Sequence, residues 1–146
     1  MKFQFVWVGK TKDANWKALQ EEYCERLSHF VKFEITEIKD GTKETESKRI
    51  LENVNQSSFV CLLDVKGRSL SSPDLAKEIE KWQNRALKEV TFIVGGAEGV
   101  ASGVVERANF SLSLSFLTFT HDMARVILLE QLYRAFTIIK GFPYQK

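Results

Sequence analysis

The stretch VTFIVGGAEGV, residues 90–100, begins with an almost continuous apolar run and then changes abruptly to glycine. A strand that is apolar on both faces is typical of a parallel sheet covered by helices on each side. Gly95, Gly96 and Gly99 let the backbone turn sharply and approach a ligand closely, because glycine lacks the Cβ atom. The stretch therefore predicts a buried strand, Val90–Val94, that ends in a candidate ligand-binding turn.

Strands and helices alternate on both sides of this stretch. Apolar or β-branched and aromatic runs predict strands, and apolar residues every three or four positions predict helices. Strands are predicted at 2–8 (KFQFVWV), 33–38 (FEITEI), 59–65 (FVCLLDV, ending at a Lys66-Gly67 turn), 90–94 and 110–114. The first helix is predicted from Asp13, with the apolar stripe Trp16, Leu19, Tyr23, Leu27 and Phe30. The other four are predicted around Ile50 and Leu51, from Ser72-Pro73, in a short segment that ends at about Asn109, and at 122–139. This alternation predicts one α/β domain over residues 1–146 with a mostly parallel sheet flanked by helices.

Two predicted helices, the one from Ser72-Pro73 and the final one, have the clearest sequence signals. Ser72-Pro73 places a capping hydroxyl before a proline at the first helical position, and the buried stripe Leu75, Ile79 and Trp82 follows. The final helix, 122–139, is apolar nearly all round, so it must be buried. One side of it can pack on the sheet while the other needs a second surface, which predicts a symmetric homodimer.

Charge and hydropathy restrict the choice of partners. The formal net charge of the 146-residue chain is only +2, so charge alone gives no argument for a nucleic-acid partner. Lysines and arginines near both termini are interpreted as a solvated face. The opening segment MKFQFVWVGK is too short an apolar run for a signal sequence or a membrane span. We therefore expect a cytoplasmic protein with no membrane partner.

The cysteines and histidines do not suggest a metal centre. Cys24, Cys61, His29 and His121 show none of the short paired spacings that supply two zinc ligands from one loop or helix. Both cysteines fall within apolar patterns, where burial would suppress thiolate formation and favour an inert core role. No metal site is predicted.

Standard phosphate-binding motifs are also missing. The three glycines do not make G-x-G-x-x-G, and no Gly-Lys-Ser/Thr follows, so the dinucleotide and P-loop interpretations both fail. The glycine cluster then predicts either a ligand site or only a tight turn. In the last helix, Glu130 and Arg134 lie one turn apart and predict an ion pair, and Asp122 predicts a helix cap.

The segments VTFIVGGAEGV (90–100) and FSLSLSFLTFTHDMARVILLEQLYRAFTIIKGFPYQK (110–146) resemble the ribosomal RNA large subunit methyltransferase H family. The resemblance extends to the N-terminal MKFQFVWVGK and the central LLDVKGRSLSSPDLA, and so covers nearly the whole chain in the same order. This family belongs to the SPOUT methyltransferases. The resemblance implies a C-terminal trefoil knot and a homodimer. The residue pattern alone would give an open flavodoxin-like sheet.

The resemblance also implies an activity and a site. The activity is methyl transfer from S-adenosylmethionine to N3 of a pseudouridine in 23S rRNA, with the assembled ribosome as the preferred substrate. The implied cofactor-binding residues are Leu63, Gly95, Gly96, Gly99, Leu114, Ser115, Phe116, Leu117, Thr118 and Phe119. The candidates for the catalytic and substrate side are His121, Arg125, Glu130, Arg134 and Tyr144. Arg125 and Arg134 would hold rRNA phosphates or stabilise charge on the pyrimidine, and His121 or the tail would manage the proton.

Two positions depart from the family pattern. The tail reads GFPYQK, with Gln145 where the family usually has histidine, and Thr120 replaces a nearby proline. A proton-transfer role for the tail histidine is therefore not carried over. Two alternatives stay open: a flavodoxin-like module that binds another nucleotide, and a knotted RNA-binding dimer without catalytic activity.

Overall fold

The computed structural model describes residues 1–144, and Gln145 lies outside the described residues. Five strands alternate with five helices. They are β1 (Lys2–Val8), α1 (Ala14–Ser28), β2 (Lys32–Ile38), α2 (Lys43–Glu52), β3 (Phe59–Ser69), α3 (Ser72–Asn84), β4 (Glu89–Val94), α4 (Ser102–Arg107), β5 (Phe110–Ser113) and α5 (His121–Lys140). The predicted α/β alternation is confirmed.

The five strands form one parallel sheet in the order β2-β1-β4-β3-β5. Helices α1, α3 and α5 pack together on one face of the sheet, and α2 and α4 pack on the other. In a parallel sheet the carboxyl ends of all strands meet at one edge. The loops after β3, β4 and β5 are therefore neighbours, although they lie far apart in the sequence.

Strand β1 shows why both sheet faces are covered. Phe3, Phe5 and Trp7 point to the face of α1, α3 and α5, whereas Val6 and Val8 point to the face of α2 and α4. All five side chains are buried because a strand in the middle of this sheet has no solvated side. The aromatic rings of Phe3 and Phe92, on neighbouring strands, meet edge to face with centroids 5.0 Å apart.

The third strand is longer than predicted. The Lys66-Gly67 pair does not end it, because β3 continues to Ser69 alongside β5, with a register shift between Leu63 and Arg68. A Cβ atom at Gly67 would lie 2.6 Å from the backbone carbon of Ser111. Glycine at this position therefore allows a close approach of two backbones within the sheet and does not mark a turn.

The three helix starts that were predicted, those of α1, α3 and α5, lie within one or two residues of the observed ones. Asp13 caps α1 as expected, whereas Ser71 and not Ser72 caps α3, which puts Pro73 at the second helical position. The prediction that Asp122 caps the last helix was wrong. Thr120 caps α5, and its hydroxyl accepts a hydrogen bond from the Met123 backbone N–H at 3.4 Å.

The long helix α5 is only partly enclosed within one chain. Leu128, Leu129 and Leu132 are buried, but Met123, Ile127 and Ile138 keep part of their surface exposed along a second stripe. Within residues 1–144, no helix combines the length and the apolar character required to cross a bilayer.

We predict that Gly67→Ala lowers the free energy of unfolding by about 1–3 kcal/mol, because the new methyl group overlaps backbone atoms that cannot rotate away. Gly103→Ala is the matched control. Its Cβ would meet only Leu51 Cδ1, at 3.6 Å, and alanine is the better residue in helix α4, so we expect a change of at most about 1 kcal/mol in the stabilising direction. Urea denaturation measures both, and equal effects of the two changes would contradict the close approach of β3 and β5.

Candidate ligand-binding site

A pocket of about 670 Å³ opens at the carboxyl ends of β3, β4 and β5. This is within the roughly 300–1,000 Å³ typical of small-molecule sites. Three segments supply nearly all of the walls, namely residues 63–66, the glycine turn at 94–100, and the loop and helix start at 112–124, and Val105 of α4 adds to them. The pocket therefore depends on the parallel sheet to bring together three loops that are up to about sixty positions apart.

A backbone hydrogen bond closes the glycine turn after β4. Gly99 has a φ of +79°, a conformation that favours glycine, and its N–H donates to the Gly96 carbonyl at 2.9 Å. A Cβ atom at Gly95 would lie 2.8 Å from Val100 Cγ1. Glycine at Gly95 and Gly99 is thus required by close packing and by backbone conformation, and it leaves peptide groups accessible on the pocket side.

The loop between β5 and α5 forms the opposite wall. Ser115 organises it, because its carbonyl accepts from the Ser113 hydroxyl at 3.1 Å and its own hydroxyl accepts from the Leu117 N–H at 3.0 Å. Leu114, Thr118 and Phe119 face the pocket.

Nine of the ten residues proposed from the resemblance for cofactor binding line this pocket. They are Leu63, Gly95, Gly96, Gly99, Leu114, Ser115, Leu117, Thr118 and Phe119. Phe116 does not line it; its side chain is 84% exposed. The structure adds lining residues that sequence reasoning did not name, chiefly Asp64 and Lys66 after Leu63, and Glu98 within the glycine turn. Their position at strand ends was the available signal.

The catalytic candidates fall into separate places in one chain. His121, the first residue of α5, lines the pocket. Arg125 lies one turn further along and is 1% exposed. Its guanidinium donates to the Val8 carbonyl and, at 3.0 Å, to the Thr11 hydroxyl, and it lies 4.9 Å from the centre of the Trp7 ring. Arg125 thus ties α5 to the end of β1 and has no surface free for a phosphate.

Burial and nearby charge have opposing effects on Arg125. Burial lowers the pKa of its guanidinium, and the carboxylates of Asp122, Glu37 and Asp40 act in the opposite direction. The nearest of these, Asp122, lies 3.8 Å from the guanidinium. Because an arginine starts from a very high pKa, it stays charged, and the charge is met by carbonyl, hydroxyl and carboxylate oxygens.

Glu130, Arg134 and Tyr144 form a second cluster. The Arg134 Nε donates to Glu130 Oε2 at 3.1 Å, which confirms the predicted ion pair, and the Tyr144 hydroxyl donates to the same oxygen at 3.1 Å. The Arg134 guanidinium also lies 4.1 Å from the centre of the Tyr144 ring. These contacts fix the end of the described chain against α5.

This cluster is not beside the pocket of its own chain. Glu130 follows His121 by nine residues on one helix, which corresponds to about 13 Å along the axis and about half a turn around it. Burial is the main cause that raises the pKa of Tyr144 well above its usual range, and the Glu130 carboxylate adds to it. In this cluster the Tyr144 hydroxyl acts as a hydrogen-bond donor to Glu130.

Within residues 1–144, no group of three or more histidine, cysteine or acidic side chains is arranged to hold a metal ion. Cys61 is buried, Cys24 is half-buried, and both thiols are free. Burial raises the pKa of Cys24 to about 11 and that of Cys61 further, and in both cases a neighbouring glutamate adds to the effect.

The fold and site define the chain as an α/β protein with a small-molecule pocket at the carboxyl edge of a parallel sheet. A family profile described as "Predicted SPOUT methyltransferase" matches residues 1–145. Two curated relatives, each named "Ribosomal RNA large subunit methyltransferase H", are 42% identical in Halothermothrix orenii and 40% identical in Desulfotalea psychrophila, with full coverage of both chains. The chain belongs to the SPOUT methyltransferase family, as the resemblance predicted.

A solved structure supports the fold independently. A probable methylase family protein from Haemophilus influenzae superposes with a TM-score of 0.59 at 12% identity, covering 99% of this chain and 70% of that one. At this identity the similarity concerns the fold alone.

We predict that both thiols react slowly with a disulfide reagent at a pH of about 7.5, because a raised pKa leaves almost no thiolate. The reagent's absorbance measures the rate, and the same chain unfolded in denaturant is the control. Rapid modification of either cysteine in the folded protein would contradict the burial described here.

Proposed function

We propose that this protein transfers a methyl group from S-adenosylmethionine to N3 of a pseudouridine in 23S rRNA, acting on the assembled ribosome in the cytoplasm as a homodimer. The observation that carries the proposal is the pocket at the ends of β3, β4 and β5, which is lined largely by residues of the segments 90–100 and 110–146 that carry the family resemblance, in a chain that the SPOUT family profile matches over residues 1–145. The names of the full-length relatives support an rRNA substrate.

The pocket residues fit S-adenosylmethionine in shape and in charge. Leu63, Leu114 and Phe119 provide apolar walls suited to an adenine ring, and the glycine turn leaves peptide groups accessible to the polar methionine portion. Asp64 and Glu98 add two carboxylates to a lining to which residues 1–144 contribute one lysine, Lys66. This balance suits a ligand with a positively charged sulfonium and ammonium group.

The bound cofactor would supply an electrophilic methyl group, and this chain would position the acceptor and manage the proton. His121 is placed to accept or relay the N3 proton, since an imidazole nitrogen can accept a proton and this side chain lines the pocket. Arg125 is assigned a positioning role, because its contacts to Val8 and Thr11 fix the first turns of α5, which carries His121. Leu117 and Phe116 would contact RNA or a second subunit.

The homodimer would complete the site. The Glu130, Arg134 and Tyr144 cluster is remote from the pocket of its own chain, so a partner subunit can bring it to a pocket where the same chain cannot. The exposed apolar residues near the pocket, Phe116 and Leu117, and the half-exposed stripe on α5 supply the surface that a dimer would bury. Arg134 would then contact a phosphate or the pyrimidine oxygens.

The trefoil knot is part of the same proposal. It is supported by the family match and by the strand order, in which β3 lies between β4 and β5 although it precedes both in the chain. The pocket is made from the loops that follow these three strands. A knotted backbone would hold the loops in place without a ligand, which suits a site built from short segments.

The assembled ribosome agrees with the modest charge of the chain. With a net charge of +2, phosphate contacts alone would give weak and nonselective RNA binding. A folded ribosomal surface offers shape complementarity in addition to phosphates.

The activity is tested by transfer of labelled methyl from S-adenosylmethionine to ribosomes that lack the modification. We expect label chiefly on intact ribosomes, at N3 of a pseudouridine, and much less on free large subunits or naked rRNA. Label on other RNA would mean that the protein is a methyltransferase with a different RNA substrate. No label with a folded, cofactor-saturated protein would overturn the proposal, and RNA binding without transfer would favour the non-catalytic alternative.

We further expect Arg134→Ala to lower kcat/KM for ribosome methylation about a hundredfold, because it removes a charge proposed to act on the substrate. Arg85→Ala is the matched control, since Arg85 is an exposed arginine at the opposite edge of the sheet, after α3. It should stay within about twofold of wild type. Equal kcat/KM values for the two variants would remove Arg134 from the site.

A further inference from the structure

Two polar side chains of α2 are buried behind the glycine turn. Glu46 is 8% exposed and Ser47 is 4% exposed, although Glu44 and Lys48 of the same helix are exposed. Burying polar groups costs free energy unless specific hydrogen bonds offset it. Neither residue lines the pocket, but Glu46 lies against Gly96, which does, and Ser47 bonds to Ala101, the residue that follows the lining segment.

Ser47 holds the far end of the turn. Its hydroxyl oxygen accepts a hydrogen bond from the Ala101 backbone N–H at 2.8 Å. Ala101 is the residue that precedes α4, and its own side chain gives no cap. The position of the chain where it leaves the glycine turn is therefore set by a side chain from α2.

Glu46 supports the middle of the turn. One carboxylate oxygen accepts from the Gly41 N–H at 3.1 Å, and the other fills the space where a side chain at Gly96 would begin, because a Cβ there would lie 2.4 Å from it. Glu46 makes no ion pair with any residue in the range 1–144. Its carboxylate is thus held by packing and by one backbone donor.

We propose that Glu46 and Ser47 are positioning residues that hold residues 95–101 in the ligand-binding conformation, so that α2 belongs functionally to the pocket. Loss of either side chain leaves the peptide groups of the turn free to shift. Where the ligand is taken to be S-adenosylmethionine, this inference rests on the proposed function. Its structural part is tested without any ligand.

The ligand-free test is amide hydrogen exchange of Gly99 and Ala101. We expect Ser47→Ala and Glu46→Ala to raise exchange at these amides about tenfold or more, because the support that keeps the turn closed is lost. Glu46→Gln keeps the size and an acceptor oxygen and should behave like wild type. Glu44→Ala removes an exposed carboxylate of the same helix and is the matched control. Unchanged exchange in both alanine variants at 46 and 47 would overturn the proposal.

The ligand test is the Kd for S-adenosylmethionine by calorimetry. Glu46→Ala and Ser47→Ala should each raise the Kd about tenfold, Glu46→Gln at most about threefold, and Glu44→Ala not at all. The Kd for S-adenosylhomocysteine, which lacks the sulfonium charge, should rise by the same factors. A loss confined to S-adenosylmethionine would mean that Glu46 acts through its charge, and would contradict a positioning role.

A double-mutant cycle tests the contact itself. Gly96→Ala should raise the Kd more in the wild-type chain, where the methyl group meets the Glu46 carboxylate, than in the Glu46→Ala chain, where that space is empty. Additive effects would overturn the proposal. If the wild-type chain fails to bind S-adenosylmethionine, the proposed function fails, and the exchange experiment still decides this inference.

Discussion

The parallel pairing of β3, β4 and β5 is the constraint on which the rest of the structure depends. It brings three loops to one edge of the sheet, and the pocket exists only because these loops meet there. The close approach of Gly67 to the backbone of Ser111 shows how tightly β3 and β5 are joined. Hydrogen bonds between main-chain groups, more than any single side chain, therefore define the site.

Side chains then stabilise the loops that the sheet has gathered. Arg125 ties α5 to the end of β1, and Ser47 ties the glycine turn to α2. Each contact joins a segment that contributes to the pocket to an element that does not line it, β1 in the first case and α2 in the second. The walls themselves are made mostly of glycine and aliphatic residues, which can surround an adenine ring and leave peptide groups free for the polar part of a ligand.

Much of this fold was accessible from sequence because its local signals agree. The apolar run VTFIV, the cap at Asp13 and the stripe Leu75, Ile79 and Trp82 each indicate the element that forms. The failures have physical causes as well. The Lys66-Gly67 pair has the composition of a turn, but its glycine serves a close contact with β5, a tertiary relation that no local pattern contains.

The candidate site divides in the same way. The glycine turn was visible as a motif, whereas Phe119 and the rest of the loop before α5 were reached only through the family resemblance. Sequence reasoning placed Arg125 on the substrate side, and its burial against Val8 could not be read from a helix that is apolar nearly all round. Glu46 gave no signal, since an acidic residue in a charged helix predicts a solvated face.

The central claim is that one ligand pocket is built from the three loops at the carboxyl edge of the sheet. Titration of the isotope-labelled protein with S-adenosylmethionine, followed by amide NMR shifts, tests it most directly. The account predicts saturable shifts concentrated in residues 63–66, 94–100 and 112–124. Shifts at the groove near Lys2, Ser28 and Lys32, or no saturable shifts at all, would contradict it.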